Sequence, residues 1–414
     1  MTGSRTLTVR REASPATLRS AVVRFVWAVL LGVAGVLGLA GAAAADPGDG
    51  PFDVAVSPDG LFAYVANRGS DTVSRIALLN NSVTARIPVG EWPAAVAIAP
   101  DGSFALVANA GSGTVSRIRT SDNKVVATIA LGDLGDWSFS SAPKALAISP
   151  TGSVAYVAYG YKVVPIRLAD NAVLPGFSSP HHYPVSIAFA PSGSFAYVGL
   201  SGDSAPVDGE LIRVRTSDNS IQAVVPLANP AARLTFAPNG TRAFMTAYPD
   251  HISAEVRDID LATNTVSAPI AGWQGSPLAI SPDGTFGYLA QKDTNLVQVV
   301  RMSDRKVLGT VTVGKWPEAV AFGPTGAFAL VPNYGSDSVT RLDLPGQPTA
   351  AKATVGKTTA KVTFTAPSVP AGNPPITNYM YSFDAGKTWV TRSPASAATT
   401  IDLASLTTGK TYSL

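Results

Sequence analysis

One stretch of the chain returns almost unchanged after a step of 42 residues. The letters "SPDGLFAYVANRGSDTVSRI", Ser57 to Ile76, come back as "APDGSFALVANAGSGTVSRI", Ala99 to Ile118. A Pro-x-Gly turn after a short apolar stretch marks each copy, and it occurs seven times at steps of 41 to 50 residues, at Pro58, Pro100, Pro150, Pro191, Pro238, Pro282 and Pro324. A repeat of this period indicates a fold in which one small unit packs on the next.

Each copy predicts four short strands. "DVAVS" precedes the turn, "LFAYVAN" follows it with Phe62, Tyr64 and Ala66 on one face, and "TVSRIAL" and "SVTARIPV" come third and fourth. Alternation with period two and many β-branched and aromatic residues predict strands. Four-stranded units at this period are typical of propeller blades. We therefore expect an all-β fold, a seven-bladed β-propeller from about Phe52 to Leu344, followed by a partial β-sandwich.

The last blade is expected to differ from the others. In six copies the final hairpin keeps one length, because apolar pairs such as Ile76 and Val83 are seven residues apart. In the seventh copy Leu342 is followed by "DLPGQPT", whose prolines cannot donate to a ladder. A three-stranded last blade follows, and "DPGDGP" before the first strand offers no strand to close the ring. Six blades with an edge hairpin remain the alternative.

The repeat letters resemble those of the YVTN family of propeller repeats. The similarity lies in the "SPDG" turn, in "YVAN" at Tyr64 to Asn67 and "LVAN" at Leu106 to Asn109, and in "VGxWP" at Val89 to Pro93 and Val313 to Pro317. The resemblance implies a propeller. It implies no single function, because this architecture hosts binding proteins and enzymes alike.

Residues 345–414 have a different composition, rich in Thr, Ala, Pro and Lys. This segment is similar to a fibronectin type III domain, with Val362 and Phe364 in a second strand, "PPITNYMYSFD" in a third, and Tyr412 as the corner tyrosine. The resemblance implies a partial domain, since the letters of the last strands are missing.

The N-terminal residues read as an export signal. Arg5, Arg10, Arg11, Arg19 and Arg24 precede an apolar run from Phe25 to Ala40 and the small residues "AGAAAADPGDG". This order predicts a signal peptide over residues 1–45, cut between Ala45 and Asp46, and hence a secreted or cell-surface protein. An uncut anchor over Phe25 to Ala45 is the alternative. The chain has no cysteine, so disulfides and thiolate chemistry are excluded.

The rare residues of the repeats converge on one face of the predicted propeller. Trp92, Trp137, Trp273 and Trp316 fall in connectors between blades, His182 and Tyr183 fall in another connector, and His251 falls in a loop between second and third strands. All of these segments leave the blades at the same end. We predict a non-catalytic binding protein with an aromatic rim for a glycan, a peptide or another protein. Simple packing of each Trp over its blade end is the competing interpretation.

The charged and histidine residues predict no nucleic-acid partner and give only weak support for catalysis. A net charge of +3 without a basic block predicts no nucleic-acid partner, and we expect a monomer with no cofactor. The alternative is a lactonase- or lyase-like enzyme using His181, His182 and His251. Adjacent histidines on an extended segment point in opposite directions, so we predict no metal site.

Asp59, Asp101 and Asp283 are interpreted as turn formers. Arg75, Arg117, Arg213 and Arg341 recur at one strand position and are expected to pair between blades or to face solvent.

Overall fold

A computed structural model describes residues 6–8, 40–44, 49–132, 142–178, 182–202, 208–247, 254–343, 349–356, 358–366, 380–381, 390–391, 394, 396–404, 406 and 411–413. The chain divides into two compact units, one of Leu39–Val300 with Gly309–Leu342, the other of Met1–Gly38, Arg301–Leu308 and Asp343–Leu414. The only helix in the described part is the 3-10 turn Tyr334–Ser336. Across those residues, no helix reaches the length and apolar character needed to span a membrane.

The strands follow the predicted repeat. Two short strands, β1 (Thr6–Thr8) and β2 (Ala40–Ala44), come first. Blades 1 to 3 consist of β3 (Pro51–Val56), β4 (Phe62–Asn67), β5 (Thr72–Ala77) and β6 (Ser82–Pro88); β7 (Pro93–Ile98), β8 (Phe104–Asn109), β9 (Thr114–Arg119) and β10 (Lys124–Ala130); and β11 (Pro143–Ile148), β12 (Val154–Tyr159), β13 (Lys162–Arg167) and β14 (Ala172–Val173).

Blades 4 to 6 repeat the four-stranded pattern, and blade 7 follows with three consecutive strands. They consist of β15 (His182–Phe189), β16 (Phe195–Gly202), β17 (Gly209–Arg215) and β18 (Ser220–Leu227); β19 (Ala231–Phe236), β20 (Arg242–Ala247), β21 (Glu255–Asp260) and β22 (Thr265–Pro269); β23 (Leu278–Ile280), β24 (Phe286–Gln291), β25 (Leu296–Arg301) and β26 (Val307–Thr312); and β27 (Ala321–Phe322), β28 (Phe328–Asn333) and β29 (Ser338–Asp343).

The seven sheets form a closed ring. The first strand of each blade contacts the first strand of the next, in the order β3, β7, β11, β15, β19, β23, β27 and back to β3. The first strands therefore surround the central axis. We call the four strands of a blade a to d, from the axis outward. The seven-bladed propeller is confirmed, and the six-bladed alternative is wrong.

The predicted final hairpins form with the predicted pairing. Ile76 lies opposite Val83, and the equivalent pair is Ile118 and Val125 in blade 2. The carboxylates of the Pro-x-Gly turns cap those turns, as Asp59 does by accepting the Leu61 N–H at 2.9 Å and the Ser57 hydroxyl at 2.6 Å. Both bonds stabilise the ionised form and lower the pKa of Asp59. The interpretation of these carboxylates as turn formers is thus confirmed for Asp59.

Blade 7 has four strands, which corrects the expectation of a three-stranded last blade without a closing strand. Its fourth strand is β2, which pairs antiparallel with β29 so that Ala40 lies opposite Arg341 and Ala44 opposite Ser338. Among the described residues, the chain after β29 contributes no further strand to blade 7. The missing strand comes from the other end of the repeat region, inside the segment predicted as a signal peptide. Its small alanines lack the alternation that identifies strands.

The core lies between the blades. Facing sides of blades 1 and 2, for example, bury Tyr64, Val73 and Ile87 against Val96 and Ile118. Side chains on both faces of a middle strand are buried in this way, and β4 is buried at all six positions. One blade cannot cover both of its own faces, so each blade depends on its two neighbours.

The C-terminal part forms small sheets of its own. β30 (Thr349–Val355), β31 (Ala360–Thr365) and β34 (Thr400–Leu403) make a three-stranded sheet, β32 (Met380–Tyr381) pairs with β33 (Val390–Thr391), and β35 (Thr411–Ser413) pairs with β1. Val362 and Phe364 are buried on β31. Short paired strands here are compatible with a partial sandwich, and the fibronectin type III assignment stays a prediction.

Candidate functional site

The connectors between blades and the loops between strands b and c meet at one end of the sheets. In blade 2, the backbone N–H groups of Ala110 and Gly111 donate to the carbonyls of Trp92 and Glu91, at 2.9 and 2.8 Å. The b–c loop of each such blade is therefore bonded to the connector that enters it. We call the surface formed by connectors and b–c loops the connector face.

The backbone of Trp92 is held in a left-handed conformation. Its φ is +52°, a region that few large side chains adopt. The Trp92 N–H donates to Asp71 Oδ1 at 2.7 Å, across the boundary to blade 1. The side chain remains 58% exposed. The backbone of Trp92 is thus fixed on the connector face by hydrogen bonds to the blades on both sides, and its ring is exposed there.

Trp316 occupies the same position in the connector between blades 6 and 7. Its φ is +53°, its N–H donates to Asn295 Oδ1 at 3.0 Å, and its side chain is 50% exposed. Its carbonyl accepts the Tyr334 N–H at 2.9 Å, as the carbonyl of Trp92 accepts that of Ala110. The two "VGxWP" motifs therefore build one local structure twice.

Gly50 takes this position in the connector that enters blade 1. Its φ is +54°, its N–H donates to Asp337 Oδ1 at 2.8 Å, and its carbonyl accepts the Arg68 N–H at 2.9 Å. A Cβ added to Gly50 would lie 3.0 Å from Cε2 of Tyr334. Glycine fits here because the neighbouring tyrosine ring fills the space.

Three aromatic rings form a row where blades 7 and 1 meet. The rings of Trp316 and Tyr334 are stacked, with centroids 6.4 Å apart and an angle of 17° between planes. Phe52 meets Tyr334 edge to face at 6.3 Å. Gly335 allows the stack, because a Cβ there would lie 2.9 Å from Cδ2 of Trp316. We call Trp316, Tyr334 and Phe52 the aromatic row.

Cations flank the aromatic row at both ends. Lys292 Nζ lies 6.0 Å from the centroid of the Trp316 ring and 2.5 Å from Oε1 of Glu318. Arg68 Cζ lies 5.1 Å from the centroid of Phe52. The row thus offers flat apolar faces with charged donors and one carboxylate beside them. This combination suits a ligand with apolar ring faces and polar edges.

Tyr183 and Trp273 lie differently from the prediction. Trp273 is 2% exposed and packs against Phe244 with centroids 6.0 Å apart, so the structure places it in the core and not on a rim. Tyr183 precedes Pro184 as Trp92 precedes Pro93, but it lies within β15 opposite Ser201, because that hairpin is longer. Lys144 Nζ lies 4.4 Å from the centroid of its ring.

His182 is buried between two carboxylates. Its Nε2 lies 3.3 Å from Asp208 Oδ1 and its Nδ1 lies 3.7 Å from Glu210 Oε1, while its side chain is 11% exposed. A protonated imidazole here forms ion pairs on both sides. The residue is therefore a polar group inside blade 4 and a weak contact for an external ligand.

Trp137 and His251 lie outside the described residues, as does His181. Their assignment to the connector face stays a prediction. Within the described ranges, no three histidine or acidic side chains are grouped to hold a metal ion.

Sequence reasoning missed Tyr334, Phe52 and Lys292, and it placed the loop of Arg68 on this face without naming the arginine. Tyr334 and Arg68 follow the last residue of strand b, in the parallel loops "NYGSD" and "NRGSD". An alignment of the two loops identifies Tyr334 and Arg68 as equivalent residues. Their contacts with the connector ahead of them become apparent only in the folded ring.

The recurrent arginines stack on rings within their own blades. Arg117 Cζ lies 3.9 Å from the centroid of Phe104, and Arg341 Cζ lies 4.4 Å from that of Phe328. Both also donate to the following blade, Arg117 to Asn171 Oδ1 at 2.6 Å and Arg341 to Asn81 Oδ1 at 3.0 Å. These two join blades, as expected, although through amide and carbonyl oxygens and not through carboxylates.

Comparison with known proteins supports the propeller. A family model described as lactonase, 7-bladed beta-propeller, matches residues 40–126, which span β2, blade 1 and most of blade 2. No protein with curated annotation matches the chain. The partial match shows a likeness to lactonase propellers over less than half of the chain.

Two solved structures share the fold. A chain of hydrazine synthase from Kuenenia stuttgartiensis is 20% identical, with a TM-score of 0.64, over 74% of this chain and 99% of that chain. The Cps50 (Swd1) beta-propeller domain from Myceliophteria thermophila is 10% identical, with a TM-score of 0.58, over 71% of this chain and 97% of that chain. At sequence identities this low, the similarity to these two structures shows a shared fold and nothing about function. The chain is therefore a β-propeller protein, similar to lactonase propellers over its first blades.

Proposed function

We propose that this propeller is a non-catalytic binding module whose aromatic row receives an extracellular ligand, with a glycan as the first candidate. The observation that carries the proposal is the exposed, left-handed Trp316, stacked on Tyr334 and bonded to blade 6. Backbone strain at a non-glycine residue costs about 1–2 kcal/mol and persists where the surroundings impose it, often at ligand sites.

The geometry favours a sugar ring over a purely apolar ligand. A pyranose presents one apolar face and polar edges, which matches the Trp316 ring with Lys292 and Glu318 beside it. Short peptides and other cell-surface components have the same amphipathic character and are the other ligands that this proposal covers. Rings held in place before binding lose little conformational entropy when the ligand arrives.

The test is a glycan and peptide array screened with the full chain and with Trp316→Gly. Gly50 already occupies the equivalent left-handed position, so this variant removes the ring and keeps the backbone. We expect binding to fall about tenfold or more, since a stacked aromatic contact is worth about 1–3 kcal/mol. Leu79→Ser is the matched control, because Leu79 is 98% exposed in a turn between strands c and d.

Two outcomes separate the interpretations. Equal binding by the wild type and a Trp316→Gly, Tyr334→Ala double variant would rule out the aromatic row as the site. Loss of binding together with a lower unfolding temperature for Trp316→Gly would indicate that the ring only packs over the blade end.

A lactone-hydrolysing enzyme is the second candidate. The family match over residues 40–126 favours it, with the histidine-bearing segments of His181, His182 and His251 as its candidate groups. Hydrolysis of simple lactones followed by acid release tests this candidate. A rate that His182→Gln lowers about a hundredfold would support the enzyme, and no hydrolysis above the buffer rate would contradict it.

The site of action is part of the proposal. The arginines and the apolar run before Ala45 support export to the cell exterior, where the module acts without nucleic acid or membrane partners and is a monomer as long as the edge of β29 is paired. Fractionation of producing cells, with N-terminal sequencing and size-exclusion chromatography, tests location, cleavage and monomeric state together. Protein retained in the cell interior would contradict export.

A further inference from the structure

The charge that precedes the exposed tryptophan differs between the two equivalent connectors. Lys315 precedes Trp316, and Glu91 precedes Trp92. In each connector the backbone N–H of this charged residue donates to a serine hydroxyl of the b–c loop, at 2.9 Å for Lys315 and 3.2 Å for Glu91, and both side chains are exposed. One local structure therefore carries a cation beside the aromatic row and an anion beside Trp92.

The first residue after strand b also differs between these blades. Tyr334, Ala110 and Arg68 each donate the backbone N–H at 2.9 Å to the carbonyl of the left-handed connector residue. Tyr334 supplies the ring that stacks on Trp316, whereas Ala110 has no ring to offer Trp92. Arg68 adds a guanidinium at the same position in blade 1, 5.1 Å from the ring of Phe52. Stacked rings and cations thus occur together where blades 7 and 1 meet.

The carboxylates near the aromatic row already have partners. Glu318 forms its ion pair with the lysine that lies near the Trp316 ring, Asp49 forms one with an arginine of β6, and Asp337 accepts a backbone N–H. In the described ranges of the chain, no carboxylate lies within ion-pair distance of Lys315 or Arg68. The row therefore has a cation without an ion-pair partner near each of its ends.

We propose that the ligand of the aromatic row is an acidic oligosaccharide, whose sugar rings lie on the row and whose carboxylate or sulfate groups pair with Lys315 and Arg68. Three successive rings with neighbouring centroids 6.4 and 6.3 Å apart offer more stacking surface than one tryptophan, which favours a ligand of several sugar rings. Lysine and arginine form strong charge-assisted hydrogen bonds with such anions. The Glu91 carboxylate repels the same ligand from Trp92. The proposal rests on the binding role proposed for the aromatic row.

The test is calorimetric titration of the full chain with three ligands. They are oligogalacturonate, its methyl ester, which has the same rings without the charge, and a sulfated galactan oligosaccharide. We expect oligogalacturonate or the sulfated ligand to bind about tenfold or more tightly than the methyl ester, and the tighter of the two identifies the anionic group. This advantage should shrink as salt is added, because exposed ion pairs are screened.

Two variants copy residues that the chain already uses at the equivalent positions of blade 2. Lys315→Glu reproduces Glu91, and Arg68→Ala reproduces Ala110. We expect Lys315→Glu to lower the affinity for the acidic ligand by about tenfold or more, and Arg68→Ala to lower it by a smaller factor. The affinity for the methyl ester should not change. Arg119→Met is the matched control, because it removes an exposed arginine at the end of β9, away from the connector face.

The outcomes separate this proposal from the function on which it rests. Equal affinity of the wild type for oligogalacturonate, the sulfated ligand and the methyl ester, or an unchanged preference in the Lys315→Glu, Arg68→Ala double variant, would overturn the acidic ligand. Trp316→Gly would still abolish glycan binding in that case, so the aromatic row would stand as the site. Acidic binding that survives Trp316→Gly would overturn both. Unfolding temperatures of all variants show that each one is folded.

Discussion

At the scale of single residues, the connector face depends on left-handed backbone positions whose N–H groups are captured by the preceding blade. Trp92, Trp316 and Gly50 share this conformation, and Asp71, Asn295 and Asp337 supply the accepting oxygens. The acceptors themselves have positive φ, which Asp and Asn tolerate better than other side-chain-bearing residues. A side-chain oxygen at the end of one blade thus positions the entrance of the next.

Asp71→Ala is expected to lower the free energy of unfolding by about 1–2 kcal/mol, because it removes one acceptor and places alanine in the left-handed region. Asp71→Asn is the control and should be nearly neutral, since Asn295 has the same role for Trp316. Urea unfolding followed by tryptophan fluorescence measures both. Equal stability of Asp71→Ala and the wild type would show that the Trp92 N–H finds another acceptor.

At the scale of strands and turns, neighbouring blades are joined through the turns between strands c and d. The Tyr64 hydroxyl donates to Asn123 Oδ1 at 2.7 Å, and Tyr156 does the same to Asn219 at 2.5 Å. Burial raises the pKa of Tyr64 to about 12, which keeps the phenol a donor. Alternation and spacing in the sequence predict these strands and turns. The hydrogen bond between Tyr64 and Asn123, which are 59 residues apart and belong to different copies, depends on how the blades pack.

A double-mutant cycle with Tyr64→Phe and Asn123→Gly measures this joint. Glycine suits the left-handed φ of +57° at Asn123, so the variants remove the hydrogen bond with little other change. We expect a coupling energy of about 0.5–1.5 kcal/mol in the free energy of unfolding. Additive effects of the two substitutions would mean that the bond does not contribute to holding blades 1 and 2 together.

At the scale of the whole molecule, β2 closes the ring by pairing with β29. The closing strand belongs to the residues that also read as the end of an export signal, and a cut after Ala45 removes all of it. The repeat region on its own supplies only three strands to blade 7, whose outer strand β29 then has an unpaired edge. An unpaired edge recruits strands from other chains.

A chain that begins at Asp46 is therefore expected to unfold at a lower temperature than the full chain and to associate at high concentration. Ala43→Pro in the full chain is a milder test, because proline opposite Val339 cannot donate to the ladder. Amide hydrogen exchange at Ser338–Asp343 should increase in both. If exchange and unfolding temperature are the same in all three proteins, β2 is not the closing strand in solution.

The sequence by itself determined the repeat unit of this protein, that is, the strands, the turns and the hairpin length, and it favoured seven blades over six. These features are local, since alternation, Pro-x-Gly turns and seven-residue hairpins act within one copy. The tertiary structure decided which residues share a site, because the stack of Trp316 on Tyr334 and the burial of Trp273 depend on contacts between distant segments. The tertiary structure also decided how the ring closes. The alanines of β2 have no alternation that would predict a strand, and they form one because they pair with the edge of β29.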